Sequence, residues 1–270
     1  MSIGSAHAWE PAVKPQAREW VDAWWLSVSL LSVVPVPRHS AVDAKVAGRA
    51  MALAPLVGGL LGAVAALVGQ GAVWLGLGRL TSALLALGTL ALLTRALHLD
   101  GLADLADALG SGKAAPEALA IMKRSDIGPF GVVALLFCVG LQATAWGEVG
   151  PHVLWVLPVA AATGRLAVTW ACTPRFRAAR PGGLGALVAG TVGVPVALAS
   201  TGIVVIVAMI AFRDVPMLVS AVPIGLAAAW FILATAQKRL GGITGDVLGA
   251  LVEVATAACL LASAVTFTGP

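Results

Sequence analysis

The chain predicts an all-α fold, a polytopic membrane helical bundle of about seven transmembrane helices preceded by a short N-terminal interfacial or re-entrant helix. Three observations lead there. Apolar segments close to the roughly 20 residues needed to cross a bilayer recur along the sequence. Only 11% of the residues are charged and 59% are hydrophobic, with a mean hydropathy of +0.95, whereas ordinary soluble domains carry about 25% charge. The basic residues gather in alternate connecting segments, the asymmetry that the positive-inside rule describes.

Residues 1–23 read as a polar, loosely ordered tail carrying Glu10, Lys14, Arg18, Glu19 and Asp22. No apolar core follows a basic start directly, so the tail is not a standard signal peptide. Residues 24–34 form an apolar run that ends at Pro35 and Pro37. It is short for a span, and Trp24 and Trp25 suit the membrane interface. Residues 24–270 then read as a single integral membrane domain.

Seven spans follow, over 51–77, 80–97, 130–147, 152–171, 186–210, 216–236 and 247–267. Gly58, Gly59, Gly62, Gly69 and Gly71 give the first span small surfaces for close helix packing. Cys138, Cys172 and Cys259 stand alone in or beside apolar segments, with no C-x-x-C pair. They read as small buried hydrophobes rather than a zinc site or a disulfide framework.

The charges orient the bundle. Lys14, Arg18, Arg38, Lys45 and Arg49 precede the first span. Arg95, Lys113, Lys123 and Arg124 surround the segment after the second. Arg175, Arg177 and Arg180 follow the fourth, and Lys238 and Arg239 follow the sixth. The opposite turns hold only Arg79, Glu148 and the pair Arg213 and Asp214. The positive-inside rule makes the basic side cytoplasmic, with the N-terminus inside and the C-terminus outside. Segments 98–129, 172–185 and 238–246 then share one face. A net charge of +4 without a long basic run gives no reason to expect a nucleic-acid partner. The expected surroundings are the lipid bilayer, and a homo-oligomer is left open.

Against this apolar background one segment stands out. His98-Leu-Asp-Gly-Leu-Ala-Asp-Leu-Ala-Asp107 holds three of the chain's 13 acidic residues within eight positions. Asp100, Asp104 and Asp107 fall on one face of a helix. Like charges so placed repel one another, and a divalent cation reverses that penalty. Magnesium prefers hard oxygen ligands and commonly bridges carboxylates to substrate phosphates. The expected metal ligands are therefore Asp100, Asp104 and Asp107, with Mg²⁺ as the ion. The blander reading is a solvated helix face paired with Arg95 or Lys113. His98 either contacts a phosphate or assists proton transfer, or is simply a hydrogen-bonded interfacial histidine.

Two further blocks carry polar groups on the same side. In Lys123-Arg124-Ser125-Asp126, the bases offer charge to a diphosphate, and Ser125 and Asp126 either cap the third span or join the site. In Arg239-Leu-Gly-Gly-Ile-Thr244-Gly-Asp246, the glycines permit a turn whose N–H groups can face a phosphate. Thr244 either binds phosphate or caps a helix. Asp246 is a cap or an additional metal ligand. The lysine and spacing of a Walker A loop are absent. Glu253 lies inside the last span and faces the bundle interior, either as a catalytic group or paired with another buried polar group.

Three blocks together resemble the cobalamin synthase family, adenosylcobinamide-GDP ribazoletransferases: His98 to Asp107, Ile121-Met-Lys-Arg-Ser-Asp-Ile-Gly-Pro-Phe-Gly131 and Gly241-Gly-Ile-Thr-Gly-Asp246. A weaker similarity includes Pro35-Val36-Pro37 and Pro55-Leu56-Val57-Gly58. The chain departs from the usual pattern at Arg124, where an aspartate is common, and at Leu105, where a threonine is common. The resemblance implies a magnesium-dependent transferase of the bacterial cell inner membrane, with a catalytic loop over 98–129 on the cytoplasmic side. It implies transfer of the adenosylcobinamide phosphate moiety from adenosylcobinamide-GDP to α-ribazole or its 5′-phosphate, with release of GMP. The products are adenosylcobalamin or its 5′-phosphate. It places function on Asp100, Asp104 and Asp107 and adds Lys123, Ser125, Asp126, Thr244 and Asp246. The expected catalytic set is then Asp100, Asp104, Asp107 and Asp126. The expected substrate-binding set is Lys123, Ser125, Thr244 and Asp246, joined by His98 and Arg239 from their positions beside these blocks.

Two other readings compete. Another membrane diphosphate-alcohol phosphotransferase would also use clustered aspartates, but its familiar start has alanine and arginine where Asp104 and Leu105 stand. An ion-coupled transporter would bury its acids near the midplane and show repeated halves, and no convincing repeat is visible.

Overall fold

The computed structural model describes residues 15–37, 42–149 and 153–268. It is all-helical, with no β-strand among the described residues. The helices are α1 (Pro15–Leu31), α2 (Ala44–Trp74), α3 (Arg79–Leu93), α4 (Leu97–Gly110), α5 (Ala115–Ile121) and α6 (Pro129–Glu148). They continue with α7 (Val153–Ala171), α8 (Leu184–Val188), α9 (Val194–Ala211), α10 (Ala221–Leu240) and α11 (Gly245–Thr268). A 3₁₀ turn over Pro216–Ser220 leads into α10.

Six segments are long and apolar enough to cross a membrane: α2, α6, Leu154–Ala171 of α7, α9, Pro216–Leu240 and Gly245–Val265 of α11. Helices α3 and α4 meet that standard only as a pair, and they are bent by 91° at their junction. We read α3 as the seventh crossing. Helix α4, turned across and carrying three acids, lies outside the spans. This is the polytopic helical membrane bundle the sequence predicts.

The packing centres on α2 and α7. Their close approach depends on glycine: a Cβ at Gly58 would lie 2.6 Å from the Ala161 carbonyl oxygen, and one at Gly62 would lie 2.9 Å from that of Leu157. Gly71 meets nothing within 4 Å, so it takes no part in that contact. Cys138, Cys172 and Cys259 are buried and free, as expected of small apolar residues.

Three local expectations change. Residues 1–14 of the expected tail lie outside the described residues, but α1 already begins at Pro15. Its polar start is tied down, because Glu19 pairs with Lys45 at 2.8 Å and also with Arg49. The Arg49 guanidinium sits 4.8 Å above the Trp20 ring. Ala23, Leu26 and Leu31 then bury one face of α1. The fifth expected span, 186–210, is broken. Gly190 takes a left-handed φ of +73° after α8, and Pro195 sits in the first turn of α9. A left-handed residue ends a helix, and proline starts one readily. Segment 98–129 is largely helical, forming α4 and α5.

The junction between α3 and α4 is strained. Arg95 and Ala96 both adopt φ near +53° without being glycine, at a cost of about 1–2 kcal/mol each. Buried Thr94 helps hold the turn by donating its hydroxyl to the Leu90 carbonyl at 3.0 Å. The bend delivers α4 to the end of the bundle, where α11 begins.

Candidate active site

The segments expected to share one face do meet at one end of the bundle. Ile243 N–H donates to the Arg177 carbonyl at 2.8 Å, and Ala179 N–H donates to that of Ile243 at 2.9 Å. This short bridge stitches the connection after α7 to the connection before α11. Arg239 reaches the Lys113 carbonyl at 3.5 Å. Helix α4 lies against α11 through backbone contact: a Cβ on Gly101 would stand 2.7 Å from the Asp246 carbonyl oxygen. One turn away, a Cβ on Gly249 would stand 3.2 Å from His98 Cα. At Gly101 a side chain would force the two backbones apart, and at Gly249 it would make a tight contact.

That crossing places Asp246 beside the acidic face of α4. Asp100 is exposed, and Asp104 and Asp246 are half-buried. Asp104 is pushed up to about 6 by partial burial first, then by the charges of Asp100, Asp246 and Asp107. Arg180 lies 3.4 Å from an Asp246 oxygen and offsets part of this field. The result is three carboxylates and one guanidinium at the surface end of the bundle, with a surplus of negative charge.

Asp107 has a different position. Its two oxygens accept the backbone N–H groups of Gly128 at 2.7 Å and Gly131 at 2.9 Å. It therefore caps the start of α6, whose unpaired N–H groups favour a carboxylate. The side chain is 8% exposed, and its acceptor capacity is largely committed to that helix rather than turned toward Asp100. Among the described residues, no group of three His, Cys, Asp or Glu side chains converges closely enough to hold a metal alone.

Beside this acidic face is a cavity of about 210 Å³ lined by Asp104, Asp107, Ser111, Arg124, Asp126 and Phe130, among others. Arg124 forms part of its wall, whereas Lys123 and Ser125 are exposed and do not line it. Thr244 is buried and caps α11: its hydroxyl oxygen accepts Val247 N–H at 3.2 Å and its hydroxyl donates to Asp246 at 3.2 Å. His98 is also buried, 3.3 Å from Arg165, and does not reach the cavity. Arg239 is exposed at the rim of the same end.

The structure thus joins Asp100, Asp104, Asp126 and Asp246 to one surface and turns Asp107, Thr244 and His98 to internal contacts. In the sequence Arg180 is a marker of sidedness, and Arg124 is both such a marker and a base that offers charge to a diphosphate. Their placement on the acid-bearing side was the available signal, since cations there meet either the acids or a phosphate.

Comparison with known proteins identifies the family to which the chain belongs. The cobalamin-5-phosphate synthase family matches residues 23–264. An adenosylcobinamide-GDP ribazoletransferase from Frankia casuarinae is 42% identical over 267 residues, covering 90% of this chain and 94% of the relative. The enzyme of that name from a Nocardioides species is 39% identical, covering 89% and 97%. The one from Bradyrhizobium diazoefficiens is 37% identical, covering 88% and 92%. No solved structure matches the chain. A match running from within α1 to the last turns of α11, spanning every block that builds the site, shows that this chain belongs to the cobalamin-5-phosphate synthase family of membrane enzymes.

Proposed function

We propose that the chain transfers the adenosylcobinamide phosphate moiety of adenosylcobinamide-GDP to α-ribazole or its 5′-phosphate. GMP leaves, and adenosylcobalamin or its 5′-phosphate forms. The observation that supports this reading best is the convergence of Asp100, Asp104 and Asp246 with Arg180, beside a cavity walled by Arg124 and Asp126. Such a surface suits a diphosphate held by a divalent ion and flanked by cations.

The donor set fits Mg²⁺. Asp104 owes its raised proton affinity first to partial burial and then to the neighbouring carboxylates, whose field a cation would relieve. Mg²⁺ takes one or two carboxylates together with water and substrate phosphate, so a complete protein cage is not needed. Asp100, Asp104 and Asp246 would hold it. When bound, the ion supplies neutralisation of charge developing on the transferring phosphoryl group and on departing GMP.

The remaining steps belong to the chain. Arg124 and Arg180 orient the diphosphate as charge-assisted donors. The ribose 3′-hydroxyl of the ribazole forms the new P–O bond at the cobinamide-side phosphorus, and the bridging P–O bond to GMP breaks. Asp126, exposed on the cavity wall, takes the hydroxyl proton. Asp107 keeps the cavity wall in place by holding Gly128 and Gly131. The basic end of the bundle is cytoplasmic in this reading, which puts both water-soluble substrates on the side where GMP is released.

The test is direct. Purified protein in lipid, given adenosylcobinamide-GDP, α-ribazole and Mg²⁺, should yield equimolar GMP and adenosylcobalamin. Release of GMP that does not require the ribazole, or no product with either ribazole form, would overturn the assignment.

A further inference from the structure

Beneath the site, three spanning helices and α4 bring polar side chains together amid apolar packing. Arg165 of α7 is 1% exposed, His98 of α4 is 4% exposed and Gln142 of α6 is 3% exposed. Arg165 Nη2 lies 3.3 Å from His98 Nδ1, and Nη1 donates to the Ala161 carbonyl at 3.4 Å. Glu253 of α11 accepts Gln142 Nε2 at 2.8 Å and is the acid in electrostatic contact with Arg165. Arg165 Nε and His98 Nε2 have no hydrogen-bond partner among the described residues. The Arg165 stem also fills the space left by Gly58 of α2, where a Cβ would lie 2.6 Å from its Cδ.

A charged residue in the membrane interior is costly and is normally retained for a purpose. Buried opposite charges add little net stability over apolar packing of the same volume, and Arg165 and Glu253 interact across a gap too wide for a direct ion pair. Their useful property is directional, because they fix how the elements that carry them are set against one another. These groups touch none of the acidic surface. They sit close beneath it, however: Glu253 follows Asp246 by seven residues on α11, about 10 Å along the helix axis. His98 is on the same helix as Asp100 and Asp104, at the point where α4 crosses Gly249.

We propose that Arg165 is a positioning residue. Held between His98 and Glu253, it sets the pitch of α4 against α11 and hence the separation of Asp100 and Asp104 from Asp246. The catalytic part of this inference rests on the transferase reading. The geometric part does not.

The experiment uses full-length protein in lipid with Arg165→Gln, Arg165→Lys and the double variant Arg165→Gln/Glu253→Gln, which leaves no orphaned buried acid. Spin labels at Lys113→Cys and Arg177→Cys, both exposed, report the placement of the α4 end against the segment after α7; the native cysteines are buried. Arg165→Gln should shift or broaden the label distance. It should lower kcat by about tenfold or more while KM for both substrates stays within about twofold. Arg165→Lys, which keeps the charge, should recover much of both. The double variant should regain thermal stability without regaining kcat. Unchanged label distances, or a kcat per folded molecule equal to the parent in Arg165→Gln, would overturn the proposal. Should the parent itself form no cobalamin, the transferase reading fails, and the label distances alone still decide whether Arg165 sets α4.

Discussion

Replacing Gly101 by alanine probes the crossing of α4 and α11 on which the site depends. The new Cβ would stand 2.7 Å from the Asp246 carbonyl oxygen and 2.9 Å from Asp246 Cα. Both atoms are backbone in the first turn of α11, so no side-chain rotation relieves the contact. Reaching ordinary van der Waals distance, which begins at 3.4 Å, requires the helices to part by about 0.7 Å. Overpacking of this kind costs about 1–3 kcal/mol. The same displacement carries Asp246 away from Asp100 and Asp104, and a shift approaching 1 Å costs roughly 10²-fold in catalysis. Gly101→Ala should therefore lower the thermal midpoint and reduce kcat/KM by about 10- to 100-fold. Gly140→Ala is the control, since a Cβ there meets nothing within 4 Å. The assay is GMP release from adenosylcobinamide-GDP, with thermal unfolding in the same lipid. Full activity in Gly101→Ala would refute the claim that the close crossing organises the acids.

Other outcomes follow from the same geometry. Asp107→Ala leaves the Gly128 and Gly131 N–H groups without their acceptor, and should destabilise the protein by about 1–3 kcal/mol in thermal unfolding. Arg124→Ala, on the cavity wall, should raise KM for adenosylcobinamide-GDP by about tenfold, whereas exposed Lys123→Ala should change it by less than about twofold. Asp104 holds its proton up to about pH 6 in the metal-free protein. The half-saturating Mg²⁺ concentration should rise as pH falls through that value, and Asp104→Asn should remove this dependence. The sign for stability is opposite: a carboxyl with raised proton affinity binds more protons folded than unfolded. This group's contribution to stability therefore falls as pH rises from the ordinary aspartate range through about 6.

The spans were legible because apolar runs of bilayer length leave little alternative, and the acidic face of α4 was legible because three carboxylates conflict with such a background. Sidedness followed from the bases, and it brought the segments holding Arg180, Asp126 and Asp246 to the same end. Other features were hidden because they depend on tertiary contact. The carboxylate of Asp107 looks identical to that of Asp104 in the sequence, yet 21 residues separate it from the Gly128 N–H it caps. Arg165 is a single charge in an otherwise apolar span that the sequence pattern did not single out, and nothing local shows that it meets His98, 67 residues away. The break before α9 had a local sign in Gly190 and Pro195, outweighed by the apolar residues on both sides.

In the proposed function, Asp104 and its neighbours form the phosphoryl-transfer centre. The most direct test is Mg²⁺-dependent, ribazole-dependent GMP release by the parent and by Asp104→Asn, at saturating substrates and with matched thermal unfolding curves. Coupled cobalamin formation by the parent and a loss of about 10²-fold or more in a folded variant are expected. Equal turnover by the two proteins would contradict that role for Asp104.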